Sequence, residues 1–237
     1  MKLPPFHWWR TVFYLIPALL IATVVLGTMS LLSGLVDRRG RWAHACARWW
    51  SRWLLWTAGV HIERVGAPLS AAGSAVFVAN HSSHYDTPIM FTSVPLQLRI
   101  IAKAALGRVP FVGWHLQRAG HLLVDRQNPG AAVLRKMRRM VSQDASLIAY
   151  PEGSRTPDGG VHKFKGGVFL LAIDAGLPIV PVSIAGSRAV MPKGRLMVCP
   201  GRVRVTVHDA IATRNMTRDD ARALAERVRE IVASAVS

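Results

Sequence analysis

Ala75-Val76-Phe77-Val78-Ala79-Asn80-His81-Ser82-Ser83-His84-Tyr85-Asp86 is the stretch that decides how this chain is read. Its first five residues form an apolar run of strand length, which breaks into a polar turn. Thr87–Ser93 then reads as a helix, with Ser83 placed to cap it and Asp86 three residues on. Strand, polar turn and helix in succession are the unit of an α/β sheet, and active sites gather at the carboxyl ends of such strands.

The unit recurs outward along the chain. Strands are expected at Leu98–Ala102, His121–Val124, Ser146–Tyr150, Ile179–Ile184 and Val203–Val207. Helices are expected at Phe111–Ala119, Gly130–Ser142, Gly167–Ala175 and Arg218–Ala235. The last opens on Thr217 with Asp220 three residues later, a near capping box, and carries Ala221, Leu224, Val228, Ile231 and Val232 on one face. Pro181, inside an apolar strand, points to a sheet edge or a bulge. The fold class is therefore α/β, a sheet with helices on its faces, over residues 61–237.

Residues 1–60 read differently. Thr11 to Val36 carry no charge; as a helix they would run roughly 39 Å, beyond the roughly 30 Å of a bilayer's hydrocarbon core. Pro17, Gly27 and Gly34 are places for it to kink. Trp42 to Val60 form a second, amphipathic stretch rich in Trp and Arg. Either one helix spans and the next lies at the interface, or both dip as a hairpin into one leaflet. A cleaved signal peptide fits less well, because Arg38, Arg39 and Arg41 separate the apolar run from the small residues after it. Those arginines, with Arg48 and Arg52, place the large body on the cytoplasmic side if the helix spans.

The formal charge of +17 over 237 residues calls for a polyanionic partner: nucleic acid, an anionic membrane or phosphorylated substrates. Seven of the eight tryptophans lie between Trp8 and Trp56 and bracket the apolar stretch, as interfacial anchors do. That placement disfavours nucleic acid, whose binders spread stacking aromatics among basic strands and loops. Cys46 and Cys199 stand far apart, outside any metal-ligand spacing, and read as reduced, buried thiols.

His81 and Asp86 would point about 140° apart on one continuous helix and would not meet. With His81 on the turn and Asp86 in the first helical turn, the carboxylate can hold one imidazole nitrogen and leave the other free as a base. Such a pair suits removal of a proton from a hydroxyl. The chain carries no Gly-x-Ser-x-Gly elbow, and Ser82 and Ser83 read as turn residues rather than nucleophiles. His84 has no carboxylate at the same spacing and reads as a structural or solvated loop histidine.

Three further clusters follow strands. Tyr150-Pro151-Glu152-Gly153-Ser154-Arg155-Thr156 runs on through glycines to Lys163 and Lys165, a loop whose backbone and cations suit an anion. It holds no Gly-Lys-Ser/Thr of the nucleotide-binding type. Val124-Asp125-Arg126 ends another strand; the charged pair is either a surface ion pair or a grip on phosphate by Arg126, which Lys103 at the end of another strand could join. Leu177 to Val182 is the last, a candidate wall for an apolar groove or a plain core strand.

In order and spacing these four blocks resemble the glycerolipid acyltransferase family, specifically the bacterial 1-acyl-glycerol-3-phosphate acyltransferases, from about Val60 to Ile211. Asn80-His81 through Asp86 looks like the family's His-x4-Asp signature, and Tyr150-Pro151-Glu152-Gly153-Ser154-Arg155 like its usual Phe-Pro-Glu-Gly-Thr-Arg. The resemblance implies a mixed sheet flanked by helices, behind an N-terminal membrane-associated two-helix element. It implies His81 as general base, Asp86 as its orienting partner, and Arg126, Glu152, Gly153 and Arg155 as ligands of the glycerophosphate, with Lys103 as an extra phosphate ligand. The acyl donor would be acyl-CoA or acyl-acyl carrier protein and the acceptor lysophosphatidic acid, at an anionic membrane, with no metal or other cofactor and no nucleic acid. Lys103-Ala104-Ala105-Leu106 departs from the family's Lys-x-Glu-Leu, which puts the acceptor in doubt and leaves room for other lysolipids such as lyso-ornithine lipid.

Overall fold

The computed structural model describes residues 5–37, 39–66, 73–124, 135 and 144–236. Helix α1 (Phe6–Ser33) and helix α2 (Arg41–Ala58) form an antiparallel pair at the N-terminus. Seven strands follow: β1 (Val60–Gly66), β2 (Val76–Ala79), β3 (Gln97–Lys103), β4 (Leu122–Val124), β5 (Ala145–Ala149), β6 (Ile179–Ala185) and β7 (Gly201–Val207). Between and after them lie α3 (Asp86–Ser93), α4 (Val112–Arg118), α5 (Gly167–Ala175), α6 (Ser187–Val190) and α7 (Ala221–Ala233). The expected helix at Gly130–Ser142 falls outside the described residues.

The sheet order is β1-β7-β6-β2-β5-β3-β4. Strands β4, β3, β5, β2 and β6 run parallel; β7 is antiparallel to β6, and β1 parallel to β7. The sheet is thus mixed and carries helices on both faces. Alternation along β2 shows the layering: Phe77 and Ala79 pack in one core with Leu54, Leu55, Ile89 and Met90, while Val76 and Val78 pack in the other with Phe169, Leu224 and Val228. Burial on both faces is why the central strands read as unbroken apolar runs.

Strand β1 escaped the sequence reading because it lies at the sheet edge. Its residues from His61 to Gly66 are exposed or half-buried, and His61-Ile62-Glu63-Arg64 carries no apolar run. Pro181 sits in an interior strand rather than at an edge, and the structure shows how. Pairing of β6 with β7 begins only at Val182, and the Ile179–Ile211 bridge stands one residue out of that register. The missing N–H faces this slip, so a bulge accommodates the proline.

Two features shape the helical pair. In α1 the turn Thr11–Leu15 is a π-helix, just before Pro17, which offers no N–H to the carbonyl four residues back and so loosens the ladder there. Helix α2 ends at Gly59, whose φ of 72° lets its N–H return to Trp56 O at 3.0 Å. At about 100° per residue Trp42, Trp49, Trp53 and Trp56 form one stripe, and all four are exposed. The opposite stripe, with Leu54, Leu55 and Ala58, enters the core of the sheet. Residues 1–60 and the body therefore share one interior. Arg99 on β3, 2% exposed, fastens the α1–α2 turn by donating to the carbonyls of Arg39 (3.1 Å) and Gly40 (3.5 Å).

The expected capping box at Thr217 and Asp220 is present, but it opens a single 3-10 turn before α7 begins at Ala221.

Candidate active site

The parallel strands bring their carboxyl ends to one edge of the sheet. Neighbouring β2 and β5 release the Asn80–Asp86 turn and the loop from Tyr150 side by side, and Lys103 closes β3 one strand further on.

The turn is held from every side. Asn80 is buried and pairs twice with Ile184 across β6, its Nδ2 donating to the carbonyl at 2.9 Å and its Oδ1 accepting the N–H at 2.8 Å. Ser82 Oγ meets Ser187 Oγ at 2.9 Å, and Ser83 Oγ donates to Met191 O at 3.1 Å. Both serines are buried structural residues. Ser83 does not cap α3 as the sequence led us to expect. The N-cap position is Tyr85, with no side-chain bond, and Ser83 Oγ instead accepts the Tyr85 N–H at 3.2 Å. Asp86 takes over the capping work in reverse, as the first helical residue reaching back into the turn.

Asp86 is fully buried, and its Oδ2 accepts three hydrogen bonds at 2.8 Å: from His81 Nδ1, Ser82 N and Ser83 N. The turn folds back as the five-residue spacing requires. With Nδ1 committed to the carboxylate, Nε2 of His81 is the nitrogen left for chemistry, and the His81 side chain keeps 21% exposure. The Tyr150 ring stacks on it at 4.4 Å and 22°, fixing the plane of the imidazole. Sequence reading missed that role of Tyr150, because nothing in spacing links two rings that follow different strands.

The facing loop is tied to this turn through the backbone. Thr156 N donates to His81 O at 2.8 Å, and Glu152 Oε2 accepts the His81 N–H at 3.3 Å. Glu152 is 8% exposed, and burial pushes its carboxyl up to about 8 despite the stabilising N–H. Gly153 turns the chain at φ 82°, a conformation open to glycine. Arg155 is half-buried and close enough to His84 to help lower that ring's pKa, and Lys193 Nζ supports the Arg155 carbonyl at 2.8 Å. Among the residues expected from sequence, His81, Asp86 and Glu152 are in direct contact, and Gly153 and Arg155 continue the same loop. Lys103 is exposed at the end of β3, away from that contact set, and Arg126 lies outside the described residues.

Beside the turn opens a cavity of about 330 Å³, within the roughly 300–1,000 Å³ common for small-molecule sites. Its walls include α1 (Leu26, Gly27), α2 (Cys46, Trp50), the segment at α4 (Phe111, Leu116), and Phe91 and Ile100 from α3 and β3. His84 and Thr87 line it next to the turn. Phe111, at φ 57°, packs where Gly27 has no side chain; a Cβ there would stand 3.4 Å from the Phe111 Cβ. His115, bonded to Ser30 Oγ at 2.6 Å, is pushed down to about 4 by burial and by Arg99, so it adds no charge to the wall. Cys46 is buried and Cys199 half-buried, and both are free thiols.

A parallel-stranded sheet with a histidine–carboxylate pair at its carboxyl edge and an apolar cavity alongside is the architecture of an α/β enzyme domain. The chain belongs to the acyltransferase family: the model described as Acyltransferase matches residues 61–185. It is 32% identical to a putative 1-acyl-sn-glycerol-3-phosphate acyltransferase of Caenorhabditis elegans over 77% of this chain and 66% of that protein. It is 30% identical to a 1-acyl-sn-glycerol-3-phosphate acyltransferase of Chlamydomonas reinhardtii over 68% of this chain and 48% of that protein. Among solved structures, the 1-acyl-sn-glycerophosphate (LPA) acyltransferase PlsC from Thermotoga maritima superposes with a TM-score of 0.77 at 25% identity, covering 96% of each chain. The chain spans about half to two thirds of the length of these curated relatives.

Proposed function

We propose that this chain moves a fatty acyl group from acyl-CoA or acyl-acyl carrier protein to the sn-2 hydroxyl of 1-acyl-glycerol-3-phosphate, forming phosphatidic acid. The observation that carries this reading is the 2.8 Å bond between His81 Nδ1 and Asp86 Oδ2, which leaves Nε2 for proton transfer in a turn whose His84 lines an apolar cavity. His81 takes the proton of the acceptor hydroxyl as that oxygen attacks the thioester carbonyl; the carbon–sulfur bond breaks, and the departing thiolate takes the proton back from His81. The cavity receives the acyl chain of the donor. Arg155, Lys103 and Arg126 hold the phosphate, and no metal or other cofactor takes part. Glu152 serves the site mainly by fixing the His81 backbone, since its buried carboxyl faces that N–H.

The protein is membrane-associated through its N-terminal helices, one of which is long and apolar enough to cross a bilayer by length and composition. We place α1 and α2 in one leaflet, on the cytoplasmic side of a bacterial inner membrane. Supporting this, α2 turns its tryptophan stripe outward while its other face belongs to the protein core, and Arg41, Arg48 and Arg52 lie along it to meet anionic headgroups.

Mixing the detergent-solubilised protein with acyl-CoA and lysophosphatidic acid is expected to release free thiol. His81→Ala is expected to lower kcat by about 10² to 10⁴ with the protein still folded. Full turnover in that variant would remove His81 from the role of base. The missing acid at Ala105 favours a second reading, in which another lysolipid such as lyso-ornithine lipid is the acceptor. A panel of acceptors separates the two: an inert lysophosphatidic acid beside a reactive amino-lipid would replace the first reading with the second.

A further inference from the structure

Acyl transfer places a negative charge on the thioester carbonyl oxygen, and donors aimed at that oxygen account for much of the acceleration in such reactions. Backbone N–H groups are the usual source, and several of those in the two facing segments are already bonded. In the turn, His81 N–H goes to Glu152 and those of Ser82 and Ser83 to Asp86, while Tyr85 and Asp86 donate to Ser83. In the facing loop, Gly153 donates to Tyr150 O and Thr156 to His81 O.

We propose that the His84 imidazole donates the hydrogen bond that holds the thioester carbonyl oxygen and then the oxyanion. This rests on the acyl-transfer reading above. Three imidazoles line the cavity. His115 is bonded to Ser30, and His121 Nδ1 accepts the Ile100 N–H at 2.9 Å. His84 makes no hydrogen bond among the described residues, and its side chain is exposed. It is also the one of the three that belongs to the His81 turn, so it stands where an acyl chain leaving the cavity meets the base. Among the described residues no lysine or arginine lines the cavity.

The chemistry of the ring fits the task. Partial burial, then Arg155 and His81, lower the His84 pKa, so near neutral pH the imidazole is uncharged and carries one N–H. It donates without competing for the acceptor's proton, which goes to His81 Nε2. As the acceptor oxygen bonds to the carbonyl carbon, the carbonyl π electrons move onto oxygen beside His84. They return as the carbon–sulfur bond breaks, and the thiolate leaves with the proton that His81 held.

Three variants of the full chain in detergent micelles test this, with palmitoyl-CoA and lysophosphatidic acid as substrates. His84→Ala and His84→Phe are expected to lose about 100-fold in kcat, with KM for both substrates within about twofold of the parent. His84→Gln restores an N–H donor and is expected to recover at least about tenfold over His84→Ala. Because the side chain is exposed, all three should melt with the parent. A His84→Phe protein with parental kcat would make the ring a mere wall and overturn the assignment, as would His84→Ala within about threefold of the parent. A parent that transfers no acyl group to any lysolipid would instead strike down the reading beneath it.

Discussion

The turn at His81 and the loop that begins at Tyr150 leave adjacent strands and face each other, yet they are built on opposite plans. The turn is buried and saturated: Asp86 has no exposure, and three bonds converge on one of its oxygens. The loop is open, with Lys163 and Lys165 exposed and Arg155 half-buried. Under the proposed function, the group that hands protons is locked into one geometry, while the loop that would admit a charged lipid headgroup is left adaptable. Variants in the turn should therefore act on the rate of chemistry, and variants in the loop on substrate affinity.

The harshest trial of that contrast is Asp86→Asn. The amide keeps the shape of the side chain but cannot accept all three bonds at one oxygen and leave His81 in the same tautomer. A fall in kcat of about 10³ to 10⁴ is expected, read by thiol release. A loss under tenfold would mean that the turn is not the rate-setting part. Next comes Arg155→Ala, expected to raise KM for lysophosphatidic acid by roughly tenfold to a hundredfold and to change kcat little, the scale of one charge-assisted hydrogen bond. If kcat falls while KM stays, the two regions do not divide the labour.

Glu152 gives the finest test, because it belongs to the loop by sequence and to the turn by contact. Its folded-state pKa of about 8 lies above that of an unfolded glutamate. The folded protein holds that proton more tightly, so the associated stability is complete below the unfolded value near 4.5 and is lost as pH rises through about 8. Glu152→Gln removes the titration. Its Tm should fall less than the parent's between pH 5 and about 8, as thermal melts at matched ionic strength would show. Parallel curves for the two proteins would place the carboxyl in solvent-like surroundings and return it to the loop.

The sequence was most readable where burial is most uniform. Strands β2, β5 and β6 pack on both faces, so their apolar runs survive without a partner in view. β1 was missed because an edge strand satisfies half of its surface with water. The His81–Asp86 contact was legible because both ends of it lie within one local turn. The cavity was not: its walls include residues near 26, 46 and 111, and only the packing of α1 on α2 and α4 assembles them. His84 was passed over for a related reason. No carboxylate stands at the His81–Asp86 spacing from it, and what distinguishes this histidine is the cavity it borders. Glu152 was read as a phosphate ligand from resemblance, and its backbone bond to His81 shows a positioning contact that linear spacing does not encode.

Helix α2 offers Leu54 and Leu55 to the sheet and a row of indoles to the outside. Attachment to lipid is therefore not an accessory that a protease or a truncation could remove from a self-sufficient enzyme. Cutting the chain after Gly59 would strip the interior of one wall and leave a sticky, half-finished body. The same helix also walls the cavity through Cys46 and Trp50, so any displacement of it would reshape cavity and core together.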